Sequence, residues 1–243
     1  TGAAGGLGRL FAETMAEAGV DVVCADIDGE GLAETAGHIE RLGRRALTVL
    51  CDVSQEAQVK DMVARTIATF GRVDILFNNA GIGARPIPLH ELSTEEWTRL
   101  IDIDLHGAFY CAREVLGHMV AQRSGKIINV SSIWGFTASS ALQSCPAYNA
   151  AKGALVTLTR ELAVCYAPHG INVNGICPGF IKTNIGNNCS EDPEWLAQSL
   201  PLVPVGRIGL PEELKGLALL LASDACSYIN GVLIPIDGGY LAR

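Results

Sequence analysis

With 243 residues, 49% of them hydrophobic and 18% charged, the chain has the composition of one large globular domain with a sizeable core. An excess of 26 acidic over 18 basic residues gives a net charge of -8, which excludes nucleic acid or an anionic membrane as the main partner, because both require a basic face. No apolar run approaches the roughly 20 residues of a membrane span, so a soluble, cytoplasmic protein is expected.

The chain opens on TGAAGGLG, with glycines at Gly2, Gly6 and Gly8. Leu7, Leu10, Phe11, Thr14, Met15 and Ala18 then fall on one helical stripe that Gly19 ends. VDVVCAD reads as a buried strand finishing at Asp26, a helix follows over about 29–42, and RALTVLCDV is the next strand. The alternation continues with a helix over 55–70 and VDILFNNAG, 94–121 and KIINVSS, 146–167 and INVNGICPG, then 211–221 and GVLIPIDGG. Six apolar strands separated by helices specify a doubly wound α/β fold, a single domain over 1–243 whose parallel sheet is covered on both faces. Two long segments, 132–148 and 183–210, break the rhythm, and the second, rich in Asn, Pro and Gly, is expected to form a substrate lid. The eight cysteines (24, 51, 111, 145, 165, 177, 189 and 226) include no C-x-x-C pair, and the five histidines are scattered. Reduced, mostly buried thiols and no metal site are therefore expected.

In such a fold, ligands gather outside the carboxyl ends of the strands. The spacing G-x-x-x-G-x-G alone fits a glycine-rich turn as well as a phosphate cradle. Asp26 shifts that balance. A carboxylate closing the next strand accepts hydrogen bonds from a ribose diol, while the free N–H groups opening the first helix receive pyrophosphate. The same carboxylate repels a 2′-phosphate, and Ala4, Ala25, Ile27 and Asp28 supply no cation, so NAD is favoured over NADP. In YNAAK, Tyr148 and Lys152 lie on one helix face, one turn apart. A phenol with a reference pKa of about 10 is a poor base at neutral pH, but a neighbouring ammonium favours its anion. Tyr148 thereby becomes an acid/base for an alcohol or carbonyl oxygen, with Ser132 at a strand end as a hydroxyl to hold that oxygen.

Taken in order, TGAAGGLG, Asp26, CDV at Cys51–Val53, NNAG at Asn78–Gly81, INVSS at Ile128–Ser132, YNAAK at Tyr148–Lys152, INVNGICPGFIKT at Ile171–Thr183 and DGG at Asp237–Gly239 resemble the classical short-chain dehydrogenases/reductases along the whole chain. The resemblance implies a Rossmann-like sheet, an NAD(P) cofactor and a homotetramer. It carries over Tyr148 as the acid/base, Ser132 as the group orienting the substrate oxygen, and Lys152 as the residue that holds the nicotinamide ribose and lowers the tyrosine pKa. Gly2, Gly6, Leu7 and Gly8 become the pyrophosphate turn, Asp26 and Ile27 the ribose edge, Asp52 and Val53 the flanks of adenine, and Asn79, Ala80 and Gly81 the lining of the adenosine ribose. Thr183 and the turn at Pro178 and Gly179 hold the carboxamide, and Pro178 and Ile181 keep water from the nicotinamide ring.

Three features depart from the family. Asp104, in IDIDLHGAF, stands where the family has an asparagine that anchors a water leading protons to the lysine. It remains a catalytic candidate whose charge alters that relay. The segment between Ser132 and Tyr148 is longer than usual, which reshapes one pocket wall and keeps Ser139 and Ser140 open as alternatives to Ser132. A central strand of roughly five to eight apolar residues is expected ahead of Thr1. The resulting expectation is an NAD-dependent oxidoreductase interconverting a secondary alcohol and a ketone. Trp134, Phe136, Gln143, Phe180, Asn184 and Trp195 would line a pocket for a cyclic or moderately apolar substrate, or for a sugar stacked on the tryptophans. The alternatives are an NADPH-dependent carbonyl or 3-oxoacyl-carrier reductase, and a catalytically idle NAD-binding scaffold.

Overall fold

The computed structural model describes residues 1–139, 142–183 and 191–243; Ser140 and Asn184 lie outside the described residues. Helix α1 (Gly6–Glu17) leads into β1 (Val22–Asp26), α2 (Gly29–Arg41) into β2 (Ala46–Leu50), and α3 (Glu56–Phe70) into β3 (Ile75–Asn78). Helices α4 (Thr94–Ile101) and α5 (Gly107–Gln122) precede β4 (Gly125–Val130), and α6 (Pro146–Tyr166) precedes β5 (Ile171–Pro178). Helices α7 (Pro193–Ser199) and α8 (Lys215–Ala222) precede β6 (Leu233–Ile236).

Every strand pair is parallel: β1 with β2, and β3, β4, β5 and β6 side by side. All six residues of β4 are buried, as a strand covered on both faces requires. Its alternate side chains enter opposite layers. Ile127 packs with Val115 and Met119 of α5, whereas Ile128 packs with Leu10 and Phe11 of α1 and Leu221 of α8. The doubly wound α/β reading is therefore correct in class.

Among the described residues the strands form two groups. β1 and β3 do not pair, and a cavity of about 390 Å³ lies between them, walled by Phe11, Met15, Val23, Ala25, Leu76 and Phe77. Thr1 and Ala3 bridge its carboxyl end: the Thr1 amino group donates to Phe77 O at 3.1 Å, and Ala3 N donates to Ala25 O at 3.1 Å.

Two elements differ from the periodicity. The helix expected over 94–121 is interrupted by a π turn at Asp102–His106, where the wider turn puts Asp104 in the interior at 1% exposure. Within the segment expected as a lid, α7 forms because Asp192 caps it, accepting from Glu194 N at 2.9 Å, and Pro193 occupies its first turn. No helix among the described residues is long and apolar enough to cross a membrane.

Candidate active site

The glycines of the opening turn serve separate needs. Gly2 and Gly6 have φ of +68° and +52°, a region that disfavours side chains. At Gly8 a Cβ would run into the Gly2 carbonyl and stand 2.7 Å from Asn79 Nδ2. Gly5 caps α1 without a side-chain hydrogen bond, and a Cβ on Gly5 or Gly6 would meet nothing within 4 Å, so the amides of the first turn face open space. Leu7 follows on α1 and packs its half-buried side chain into the layer beneath β4.

Asp26 is fixed on both oxygens. Oδ2 accepts from Ala4 N at 3.0 Å, and Oδ1 accepts from Ile27 N at 2.7 Å and Asp28 N at 3.2 Å. Ile27 itself is 75% exposed, an apolar surface at the rim of the turn. Arg9, which sequence reasoning missed, clamps the turn onto α2 by donating to Ala4 O at 2.6 Å, Thr35 Oγ1 at 3.0 Å and Glu34 at 2.8 Å. Its charge is thereby committed to Glu34 and is not free beside Asp26.

On the other side of the turn, Asn79 Nδ2 donates to Thr1 O at 3.0 Å and Ala80 N donates to Thr1 Oγ1 at 3.0 Å. Asp52 holds a tight turn by accepting from Ser54 N at 2.9 Å, with Val53 buried beside it. Gly81 has no side chain because a Cβ would stand 2.9 Å from Asp104 Oδ2. Pro178 ends β5, and Gly179 N donates to Ile236 O at 2.9 Å. Beyond it, Ile181 bridges Gly209, and Lys182 N donates to Gly209 O at 2.9 Å, which braces the approach to Thr183. Free helix amides, open glycines and a fixed carboxylate at the ends of the strands fit a dinucleotide cofactor.

Ser132 follows the end of β4, buried, and its Oγ accepts from Trp134 N at 3.2 Å. Tyr148 and Lys152 stand on the first two turns of α6, begun by Pro146, and the residue before each, Ala147 and Ala151, is buried. Lys152 Nζ donates to Val130 O at 3.2 Å and lies 3.1 Å from Asp104 Oδ2. Ser131 Oγ donates to Lys152 O at 2.9 Å, which locks the helix to the strand end. Burial pushes the Tyr148 phenol above its ordinary value; Lys152 and Ser132 pull it down, but Asp104 adds to the rise. The expected lowering by the lysine is thus outweighed, because the site is closed and holds a carboxylate. Burial alone would lower Lys152, yet the charges of Asp104 and Tyr148 more than compensate and its pKa is raised, so the side chain is an ammonium.

A cavity of about 120 Å³ opens onto Ser132 and Tyr148 and is walled by Trp134, Gln143, Phe180 and Trp195. Edge-to-face contacts order the wall: Trp134 to Tyr148 at 6.0 Å, Trp134 to Phe180 at 6.3 Å and Phe180 to Trp195 at 5.1 Å. Ile181, Thr183, Ala84 and Cys145 also reach this cavity; Ala84 and Cys145 carried no sequence signal because small or apolar residues look the same in a core. Phe136 does not line it. That ring is 40% exposed, because the short 3₁₀ turn Ile133–Gly135 carries it outward. Ser139 is also committed elsewhere, donating to Asn149 Oδ1 at 2.7 Å. Asn149 was missed in the sequence and ties the long loop, donating to Trp134 O at 3.0 Å and Thr137 O at 2.8 Å.

Fold and site together define a class, the Rossmann-like α/β oxidoreductases. A family model described as enoyl-(acyl carrier protein) reductase matches residues 2–241. The cis-4-hydroxycyclohexanecarboxylate dehydrogenase of Sinomonas cyclohexanicum is 41% identical over 100% of this chain and 95% of that protein. The 2-dehydro-3-deoxy-D-gluconate 5-dehydrogenase of Dickeya dadantii is 38% identical, covering 100% and 94% respectively. Among solved structures, a gluconate 5-dehydrogenase from Burkholderia cenocepacia in complex with NADP and tartrate superposes with a TM-score of 0.94 at 34% identity, covering 100% of this chain and 94% of that one. The chain belongs to the short-chain dehydrogenase/reductase family and is an oxidoreductase.

Proposed function

We propose that the protein is an NAD-dependent dehydrogenase that interconverts a secondary alcohol and a ketone, with Tyr148 as its acid/base. The observation that carries this reading is Ser132 and Tyr148 on the wall of one aromatic cavity, with Lys152 one turn along α6 and its Nζ 5.5 Å from the centre of the Tyr148 ring. Gly2, Gly6, Leu7 and Gly8 would hold the pyrophosphate, Asp26 and Ile27 the adenosine ribose edge, and Asp52, Val53, Asn79, Ala80 and Gly81 the adenosine side. Lys152 would hold the nicotinamide ribose, and Pro178, Gly179, Ile181 and Thr183 the nicotinamide. When bound, the dinucleotide supplies a hydride acceptor or donor at its ring.

In oxidation Tyr148 removes the hydroxyl proton of the alcohol, and in reduction it returns that proton to the carbonyl oxygen. Ser132 donates a hydrogen bond to the same oxygen and keeps it in line. The Lys152 ammonium stabilises the phenolate as it forms. Trp134, Phe180 and Trp195 exclude water and offer ring faces to a cyclic or moderately apolar body, with the Gln143 amide for a second oxygen. A cyclic substrate is supported by the hydroxycyclohexanecarboxylate in the name of the Sinomonas relative.

The NAD preference rests on Asp26, fixed as an acceptor with no free cation from Ala4, Ile27, Asp28 or Arg9. The second reading, an NADP(H) enzyme, is favoured by the NADP in the Burkholderia structure. Exposed apolar side chains on α5 and α6, Phe109 and Val164, support a homotetramer, which we assign to the cytoplasm and which light scattering on the purified protein tests. The deciding experiment follows NADH and NADPH absorbance with a panel of cyclic, polyol and hydroxy-acid substrates, in wild type and Tyr148→Phe. The variant should lose about 10²–10⁴-fold in turnover while still binding NAD in a fluorescence titration. Retained turnover overturns the role of Tyr148, and a preference for NADP overturns that of Asp26.

A further inference from the structure

Asp104 is a carboxylate in the protein interior beside the candidate catalytic pair. Its Oδ1 accepts from Ile82 N at 2.8 Å, which pins the loop after β3. Its Oδ2 lies 3.1 Å from Lys152 Nζ but receives no well-directed hydrogen bond, so the contact is one of charge. Both side chains are nearly inaccessible, at 0% for Asp104 and 6% for Lys152. The π turn Asp102–His106 delivers the carboxylate to this place, and the absence of a side chain on Gly81 makes room for it. In a closed site of this kind charges act on one another with little solvent screening.

We propose that Asp104 is a positioning residue that pairs with the Lys152 ammonium and offsets its field at Tyr148, so that the tyrosine acts as a base at a more alkaline pH than the tyrosine and lysine alone would set. The inference rests on the dehydrogenase reading of Tyr148. Tyr148 and Lys152 share one site and lose their first proton as a unit. A negative charge beside that unit holds the proton on; removing the charge lets it leave at lower pH. The other groups facing the pair do not supply this effect. Ser132 offers only a hydroxyl, Cys145 before α6 is held neutral by burial, and Cys177 on β5 is pushed up to about 12 by burial.

Asp104→Asn is the informative change because an amide oxygen can still accept from Ile82 N while the charge is gone. The acid limb of the kcat/KM profile for alcohol oxidation should move down by about one pH unit. The Tyr148 component of the tyrosinate absorbance of the cofactor-free protein, read among the chain's five tyrosines as the difference from the matching Tyr148→Phe protein, should titrate lower by the same margin. Asp104→Ala, which also frees the Ile82 amide, should shift both profiles in the same direction, and it serves as the test where the asparagine variant fails to fold. An unmoved limb and titration, or a move to higher pH, overturns the proposal. If the tyrosinate titration moves as stated while no variant oxidises any alcohol, the coupling stands and the dehydrogenase reading falls.

Discussion

Gly8 has no space for even one methyl group, and the reason is backbone rather than a flexible neighbour. Its missing Cβ would enter the Gly2 carbonyl and stand 2.7 Å from Asn79 Nδ2, two groups that themselves hold the start of the turn. Gly8→Ala should therefore cost about 3 kcal/mol or more, the upper end of overpacking penalties, because the carbonyl cannot swing away without breaking the turn. Urea denaturation of the two proteins measures it; a loss under about 1 kcal/mol would mean the turn relaxes cheaply. At this scale the sequence was legible where a residue type is required by chemistry. Ser132 after β4 and Tyr148 on α6 line one cavity, Lys152 stands one turn along α6 from Tyr148, and Asp26 ends β1. It was less legible where the role comes from a partner distant in sequence. Arg9 clamps the turn only where Thr35 and Glu34 on α2 meet it, and the effect of Asp104 on Lys152 depends on a fold that brings positions 48 residues apart into contact.

Among the elements, the loop between β4 and α6 shows how an unusual length is stabilised. Asn149 on α6 donates to Trp134 O and Thr137 O and accepts from Ser139 Oγ, so one side chain gathers the loop that carries the wall of the cavity. Asn149→Ala leaves these partners unpaired and should cost about 1–3 kcal/mol in thermal or urea unfolding. If the dehydrogenase reading is right, KM should rise more than kcat falls, because Trp134 shifts while Tyr148 and Lys152 remain held by α6 and Ser131. A fall in kcat with KM unchanged would place Asn149 in the chemical step instead. Helix and strand types were readable from periodicity, since each apolar stripe or run has one packing solution. The π turn was not. An interrupted helix keeps the same apolar spacing on either side, and only the buried Asp104 reveals that the face has rotated. Helix α7 escaped for a different reason: its seven residues lie within a segment rich in turn formers, and its start depends on the Asp192 cap.

For the molecule as a whole, what the sequence conveyed best was the layering, because apolar strands alternating with helices have to be covered on both faces. The same layering buries cysteines on both sides of the sheet, and this has a consequence for alkaline stability. Burial raises Cys24 and Cys51 to about 11, and Cys111 and Cys177 to about 12, so the folded thiols stay neutral over a range in which an unfolded chain ionises. Each such group contributes stability that is complete below the unfolded pKa of about 8.5 and is lost as pH rises towards the folded value. The slope is about 1.4 kcal/mol per thiol per pH unit within that window, so four thiols acting together make the fold steeply sensitive above pH about 9. Tyr148, whose pKa is also raised by burial, acts in the same direction at the upper end. Differential scanning fluorimetry from pH 7 to 10.5 under reducing conditions should show Tm flat at first and then falling continuously. Replacing Cys111 and Cys177 by alanine should lessen the slope on the alkaline side, whatever it costs in packing at neutral pH. A Tm that stays level through pH 10.5, or a slope unaltered in the double variant, would show that the buried thiols do not govern alkaline unfolding.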